Sequence, residues 1–279
     1  MEVQAKDVKT LREKTGAGML DCKNALVEAK GDMDSAVKKL KEQGLAAANK
    51  RSSRATNEGR VFSLVRAEVA GLLELACETD FVARNGHFIE MGEELLETVV
   101  TKGLTEMNPD LERIVQDGIS KIKENISLKR FKTIKLSENE VATDYIHGEG
   151  NIGVLVVLRT EKQSSLDLPE VKNLSLDCAL HVAAFNPLFL SRDSVTDKYL
   201  QEQEQIFKKQ AETLDKPEKV LAGIAKGKLN KHLKDVVYLD QGFVKEEKRS
   251  VEDILKETSN LIDDRIAITD FLYYRVGGD

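Results

Sequence analysis

The stretch VFSLVRAEVAGLLELAC, residues 61–77, has the apolar and β-branched composition of two strands and sets the fold class. Residues 61–69 and 72–77 each predict a strand, and Ala70-Gly71 between them predicts the turn of a hairpin. Apolar residues at helical spacing follow at 88–99 and 111–122, and residues 131–136 predict a further strand. The first half of the chain therefore predicts an antiparallel sheet with helices packed on one face.

The second half of the chain repeats this order of elements. Residues 142–146 and 153–159 predict strands, and an apolar helix follows near 169–184. Residues 236–239 and 265–276 predict two more strands, separated by a helix that begins at Ser250 with Asp253 in capping-box position. We predict an α+β fold whose core is two related antiparallel β-sheet/helix subdomains, at residues 59–140 and 141–279.

Residues 1–45 predict a separate N-terminal module of three short helices. Gly16, Gly31 and Gly44 follow the three apolar stretches, at the position where a left-handed residue ends a helix. The module resembles ubiquitin-associated domains. A bundle of about forty residues is only marginally stable alone, and small modules of this kind usually bind a partner, so we expect this one to do so. Residues 46–58 are polar, small and basic, which predicts a partly helical linker.

A helical hairpin is predicted to interrupt the second subdomain at about residues 190–234. Two apolar stripes flank Asp215-Lys216-Pro217, which breaks the helix and reverses the chain. The stripes consist of Leu200, Phe207, Ala211 and Leu214, and of Leu221, Ala225, Leu229 and Leu233. We predict an inserted antiparallel coiled coil, which either joins two copies of the chain or contacts a partner.

The composition is typical of a soluble, folded chain. Of its 279 residues, 41% are hydrophobic and 32% are charged. The longest apolar runs are far shorter than the ~20 residues of a membrane span, and the first residues lack the apolar core of a signal peptide. The net charge is −6, although residues 1–60 hold 13 Lys and Arg against 9 Asp and Glu. We expect a cytoplasmic protein with no membrane contact and no direct nucleic-acid contact.

Motifs that resemble catalytic or ligand-binding sites fail on their context. GEGNIG (148–153) matches a dinucleotide-binding pattern, but a β-branched strand follows it where a helix is required, so we interpret it as a hairpin turn. GIAKGKL (223–229) lacks the spacing and the Ser or Thr of a phosphate-binding loop. The histidines and the three cysteines have no metal-ligand spacing, and nothing local pairs a cysteine with a histidine. We expect no metal, no cofactor and no covalent chemistry.

The most unusual local feature is CETDFVARN (77–85), between a predicted buried strand and a helix. Composition alone favours a structural role, in which Thr79 or Asp80 caps the helix and Phe81 packs as a hydrophobic staple or core residue. The alternative is a loop that presents Asp80 and Phe81 together on the surface. An aromatic ring beside a charge suits a hot spot of an interface.

Two segments together resemble the bacterial translation elongation factor Ts family. They are LREKTGAGMLDCKNAL (11–26) and ETDFVA (78–83). Shorter matches are QGLA (43–46), HG (147–148) before IGV (152–154), HVAA (181–184) with NP (186–187), and FV (243–244). The resemblance covers nearly the whole chain, and the family has counterparts of the helical module, the linker, the duplicated core and the inserted hairpin.

The resemblance implies guanine nucleotide exchange on elongation factor Tu, which the family binds with GDP and without nucleotide. The residues that match the family's exchange loop are Thr79, Asp80, Phe81 and Val82. In the family this loop inserts near the magnesium and phosphate site of the partner, so Phe81 would be a wedge and Asp80 the charge that disturbs the magnesium. The residues implied in partner binding are Arg12, Met19, Leu20 and Lys23 of the module, and His147.

The sequence departs from the family at two places. Gly242 stands where the family commonly has proline, which is expected to loosen the entry of that strand. The chain ends at Asp279, just after the last predicted strand, where family members often carry a further helix that touches the partner. Without that helix we expect partner contact to rest on the module and the core, with lower affinity.

Two functions other than exchange fit parts of the sequence. A plain adaptor would use the three-helix module alone and would have no need of Asp80 and Phe81. The hypothesis of an RNA-associated protein rests only on the basic segment 49–54. It predicts an affinity for RNA that falls steeply as the salt concentration rises.

Overall fold

The computed structural model describes residues 3–214 and 216–278, with all of their side chains except those of residues 45–50. Its helices are α1 (Ala5–Thr15), α2 (Met19–Glu28), α3 (Met33–Arg51), α4 (Asp80–Ala83), α5 (Gly86–Lys102), α6 (Pro109–Ile122), α7 (Pro169–Phe185), α8 (Asp197–Glu212), α9 (Glu218–Val236) and α10 (Val251–Leu261). Its strands are β1 (Glu58–Val65), β2 (Val69–Cys77), β3 (Ile126–Lys135), β4 (Glu140–His147), β5 (Ile152–Thr160), β6 (Gly242–Phe243), β7 (Glu246–Ser250) and β8 (Ile266–Arg275). Helices and antiparallel strands are mixed along the chain, as predicted.

The first sheet has the strand order β1-β2-β3, with antiparallel neighbours. Its hairpin turn lies at residues 66–68, where Arg66 N donates to Val69 O over 2.9 Å. The predicted turn at Ala70-Gly71 is wrong, because both residues lie inside β2. A Cβ on Gly71 would lie 3.1 Å from a methyl group of Leu96 in α5, so the glycine lets this helix approach the sheet closely.

The second sheet has the strand order β4-β5-β8 and is also antiparallel. Helices α7 and α10 cover it, and Val171 and Val251 of these helices pack in one cluster with Val154 of β5. Ser250 and Asp253 form the predicted capping box at the start of α10. Strands β6 and β7 form a separate small hairpin.

The two sheets pack against each other on the faces opposite their helices. Phe62 and Leu73 of the first sheet pack with α5 and α6, whereas the adjacent Val61 and Leu72 pack with Leu155 of the second sheet. The alternation follows from the two-residue period of a strand. Because β2 and β5 are buried on both faces, each has a nearly continuous apolar sequence.

A buried carboxylate joins the three strands of the second sheet. Glu140 of β4 accepts hydrogen bonds from Ser137 N (2.9 Å), Arg159 Nη2 of β5 (2.7 Å) and Thr269 Oγ1 of β8 (3.0 Å). Burial raises the pKa of the Glu140 carboxyl, but these hydrogen bonds outweigh burial and lower the pKa to about 2. Glu140 is therefore ionised at neutral pH and links the strands as an anion.

The N-terminal helices α1 to α3 enclose a core of their own around Leu11, Cys22 and Leu26. Gly16 (φ 68°) ends α1, and Gly31 (φ 87°) turns the chain before α3, as predicted. Both residues adopt the left-handed region that favours glycine.

The prediction that Gly44 ends the third helix is wrong, because α3 continues through it to Arg51. A Cβ on Gly44 would lie 2.4 Å from Ser120 Oγ of α6. The glycine therefore permits close packing of α3 on α6. The predicted boundary between module and linker, after residue 45, falls inside this continuous helix.

Helices α8 and α9 form an antiparallel hairpin. The hydroxyl of Tyr199, near the start of α8, is 2.7 Å from His232 Nε2, near the end of α9. Lys228 Nζ of α9 donates to Gln210 Oε1 of α8 over 3.2 Å. Asp215 of the predicted chain reversal lies outside the described residues, and Pro217 is the residue before α9.

The predicted strand at residues 236–239 is wrong. Helix α9 extends to Val236, and a short 3-10 turn follows at Tyr238–Asp240. Tyr238 is fully buried and its hydroxyl donates to Cys178 O over 2.7 Å. A short apolar run of this kind does not distinguish a strand from a buried turn.

No helix within residues 3–214 and 216–278 is long and apolar enough to cross a membrane.

Candidate functional site

An exposed aromatic side chain lies on the connection between β2 and α5. Thr79 caps the single-turn helix α4, and its Oγ1 accepts a hydrogen bond from Val82 N over 3.4 Å. In this turn Ala83 is buried, whereas Phe81 is 82% exposed. Of the two residues predicted as the cap, Thr79 and Asp80, Thr79 is the cap. The prediction that Phe81 packs as a staple or core residue is wrong. We call residues 79–82 the exchange loop, because the resemblance noted in the sequence implies that role for them.

Glu124, which lies between α6 and β3, holds the start of the exchange loop. Its Oε2 accepts from Thr79 N over 3.1 Å, and its Oε1 accepts from Thr79 Oγ1 over 2.8 Å. On the other side, Cys77 Sγ donates to Thr79 O over 3.2 Å. Thr79 is thus bound through its amide, hydroxyl and carbonyl groups, which makes the base of the loop rigid.

A second anchor holds the residue before the loop. Glu78 Oε1 accepts from Asn125 N over 2.6 Å and from Arg54 Nη1 over 3.2 Å. The amide of Asn125, and then the Arg54 guanidinium, hold the pKa of Glu78 below its ordinary value. Asn125 Nδ2 donates to Arg54 O over 2.7 Å, so the segment between α3 and β1 is bound at the same point.

Arg84 connects the exchange loop to the turn between β4 and β5. Its guanidinium lies 3.8 Å from Asp80 Oδ2 and 3.2 Å from Glu149 Oε2. All three side chains are half or more exposed, so each ion pair contributes little to stability. The pairs nevertheless show that the 147–150 turn and the exchange loop, far apart in sequence, lie side by side.

His147 lies exposed at the end of β4, beside this turn, and its Nδ1 is 3.0 Å from the Tyr145 hydroxyl. Gly148, Glu149 and Gly150 all have positive φ, and β5 follows them directly. The GEGNIG stretch is therefore the predicted hairpin turn. No helix begins after it to hold a pyrophosphate.

The module residues assigned to partner binding are all exposed. Met19 is 48% exposed and Leu20 is 68% exposed, at the start of α2, and Arg12 and Lys23 are also exposed. Val27, seven residues after Leu20 on the same helix face, is exposed as well. We did not select Val27 from the sequence, although an apolar residue at the i+7 position from Leu20 is the signal that would have found it.

The other candidate residues have structural surroundings. Gly223 and Gly227 lie within α9, so GIAKGKL is helical and forms no phosphate-binding loop. His181 is buried, with Nε2 2.9 Å from Gln241 Oε1 and with Nδ1 accepting from Val244 N over 3.1 Å. Burial lowers the pKa of His181, which keeps its ring neutral.

Burial makes two of the three cysteine thiols, Cys77 and Cys178, poor nucleophiles. Burial, assisted by the charge of Glu124, raises the pKa of Cys77 to about 12, and burial raises the pKa of Cys178 to about 12. Thiols with such values remain protonated at neutral pH. Among the described residues, no group of three or more His, Cys, Asp or Glu side chains is arranged to hold a metal ion.

The comparisons with known proteins agree on one family. The family model "Elongation factor TS" matches residues 78–278. Elongation factor Ts of Borrelia hermsii is 44% identical over 278 residues, which is 99% of this chain and 100% of the relative. Elongation factor Ts of Treponema denticola is 40% identical over 277 residues, which is 99% of each chain. The chain belongs to the elongation factor Ts family.

Membership of the elongation factor Ts family makes this chain a translation elongation factor. The family model begins at Glu78, so its match includes the exchange loop and the turn at His147. Helices α1 to α3 precede that match, but the alignments with the relatives cover 99% of the chain. The alignments therefore include these helices.

Proposed function

We propose that the chain is a guanine nucleotide exchange factor that acts on elongation factor Tu. It binds the partner with GDP, promotes release of GDP, and allows recycling to the GTP form in the cytoplasm. The observation that carries the proposal is Phe81, an aromatic side chain that is 82% exposed on a loop whose base is held at three groups of Thr79. Exposing so large an apolar group on a rigid support is typical of a binding hot spot.

In this mechanism the exchange loop acts on the nucleotide site of the partner. The partner holds GDP and magnesium largely by charge, so a small displacement of its phosphate-binding backbone costs much affinity. Burial of Phe81 against the partner supplies free energy for that displacement. The Asp80 carboxylate, which is half exposed, brings a negative charge that competes for the magnesium surroundings.

The remaining site residues bind the partner and do not release the nucleotide themselves. Arg12, Met19, Leu20 and Lys23 of the module, with His147 beside the exchange loop, provide this contact. Reciprocity requires the nucleotide-free partner to bind more tightly than the GDP-bound partner, by the factor that GDP affinity is weakened. No covalent bond is made or broken in this mechanism, so the chain acts as an exchange factor and not as an enzyme that catalyses a covalent reaction.

The hairpin of α8 and α9 offers a surface for self-association. Ile206, Leu214 and Val220 are large apolar residues that are exposed on it. Sedimentation of the isolated protein over a range of concentrations tests whether two copies of the chain associate.

The net charge of −6 disfavours direct nucleic-acid binding.

The experiment that tests the function is release of fluorescent GDP from purified elongation factor Tu into excess unlabelled GDP. We expect substoichiometric amounts of this protein to accelerate complete release, because an exchange factor turns over. Binding without acceleration would favour the adaptor function, and absence of binding would contradict both.

A further inference from the structure

We propose that Glu124 is a positioning residue for nucleotide exchange, which sets the direction in which the exchange loop presents Phe81. The inference rests on the proposed function for its effect on GDP release. Its structural part, the control of the loop by Glu124, can be measured on the isolated protein.

Glu124 determines how Thr79 uses its hydroxyl group. The hydroxyl hydrogen is donated to Glu124 Oε1 over 2.8 Å, which leaves a lone pair of Oγ1 to accept from Val82 N over 3.4 Å. The second carboxylate oxygen accepts from Thr79 N over 3.1 Å. One side chain therefore selects the rotamer of the cap and holds its backbone.

Helix α4 depends on this cap more than a longer helix would. It contains four residues, Asp80–Ala83, and a single helical turn is unstable by itself because nucleation is costly. Phe81 is 82% exposed, so packing within the chain contributes little to its placement. The direction of the Phe81 side chain therefore follows from the geometry that Glu124 imposes on Thr79.

The neighbours of Glu124 connect the same point to the rest of the proposed partner surface. Lys123 Nζ lies 3.0 Å from Asp21 Oδ2 of α2, the helix that carries Leu20. Asn125 N donates to Glu78 Oε1 over 2.6 Å, at the entry of the exchange loop. Three consecutive residues thus bind the module, the exchange loop and the residue before it.

The left-handed backbone of Lys123 (φ 68°) makes this arrangement possible. It ends α6 and turns the chain so that β3 can begin at Ile126. The short segment 123–125 therefore crosses from the helical layer to the sheet, beside the end of β2. The side chain of Glu124 reaches Thr79 from this crossing.

The test compares Glu124→Ala with Glu124→Gln, which retains the size of the side chain and one acceptor oxygen but replaces the other oxygen by an amide donor. We expect Glu124→Ala to lower the maximal rate of GDP release about tenfold, in line with the loss of a helix cap. The concentration of protein that gives half of the maximal rate should change little, because the module provides most of the contact. Glu124→Gln should restore part of the rate, because its one oxygen can still accept from Thr79 N. The exposed Glu106→Ala serves as the matched control.

A double variant distinguishes positioning from general destabilisation. If Glu124 acts through Phe81, Glu124→Ala has no further effect on the rate in a Phe81→Ala background. If Glu124 only stabilises the fold, the two losses multiply. Multiplied losses, or a single variant Glu124→Ala with an unchanged rate, would overturn the inference.

Amide hydrogen exchange on the isolated protein provides a readout that is independent of the partner. We expect the amides of Thr79 and Val82 to exchange at least tenfold faster in Glu124→Ala, with little change in β2. Unchanged protection would overturn the positioning role whatever the GDP-release assay shows. Failure of the original protein to release GDP would overturn the proposed function alone. Thr79→Val, which removes only the hydroxyl, replaces Glu124→Ala if that variant does not fold.

Discussion

Replacement of Phe81 by alanine should slow GDP release by about two orders of magnitude while the fold is unaffected. The ring is 82% exposed, so of the roughly 200 Å² that a phenylalanine can bury, about 160 Å² is available to the partner. At about 25 cal/mol per Å² this surface corresponds to ~4 kcal/mol. Alanine keeps part of it, which leaves a loss of about 3 kcal/mol, or about 100-fold in rate.

The same exposure predicts that the isolated protein is indifferent to this substitution. The free energy of unfolding should change by less than about 0.5 kcal/mol, because Phe81 loses few contacts within the chain. Chemical denaturation followed by circular dichroism measures this quantity. The matched control is Leu261→Ala, since Leu261 is 71% exposed at the end of α10, away from the exchange loop.

The decisive assay is stopped-flow release of fluorescent GDP from elongation factor Tu at saturating concentrations of each variant. We expect the Leu261→Ala protein to match the original rate and Phe81→Leu to lie between the original and Phe81→Ala. A folded Phe81→Ala protein that stimulates release within threefold of the original rate would refute the wedge role of Phe81.

Three further substitutions test other parts of the structure. Leu20→Ala should weaken binding to the partner about tenfold without lowering the maximal release rate, because Leu20 is 68% exposed on the module; titration calorimetry measures the affinity. Asp80→Asn should slow GDP release in the presence of magnesium, and chelation of magnesium should reduce the difference in release rate between the variant and the original protein. A difference that does not change on chelation would contradict an action of Asp80 on the magnesium. Glu140→Gln should destabilise the fold at pH 7 by about 3 kcal/mol, because the folded pKa of about 2 lies below the ordinary 4.5. This contribution is present above pH 4.5 and is lost as pH falls toward 2, so urea denaturation should show the two proteins converging at low pH.

The sequence predicted the elements that depend on local signals. The strand pattern of residues 61–77 gave a hairpin, but its turn was misplaced, because small residues such as Ala70-Gly71 occur both in turns and where a helix packs closely on a sheet. Gly44 was misassigned as a helix end for the same reason, since its role is to let α3 approach Ser120. In both cases the deciding contact comes from a residue distant in the chain.

The candidate site was predictable in its residues but not in its geometry. Family resemblance selected Thr79, Asp80, Phe81 and Val82, whereas composition alone favoured a packed Phe81. Neither source indicated Glu124 or the Arg84 bridge to Glu149, because these contacts join segments that lie 45 and 65 residues apart. Such pairs leave no periodic pattern in a single sequence.

The sequence by itself determined the helices and strands with strong periodicity, a helix cap at Thr79 or Asp80, and the capping box of Ser250 and Asp253. It also excluded a dinucleotide site at GEGNIG. These features depend on backbone and side-chain chemistry within a few residues. Only the tertiary structure decided that Phe81 is exposed and that the turn at Glu149 lies beside it. Exposure and adjacency are set by the packing of distant layers, where the burial free energy of the whole core outweighs any local preference.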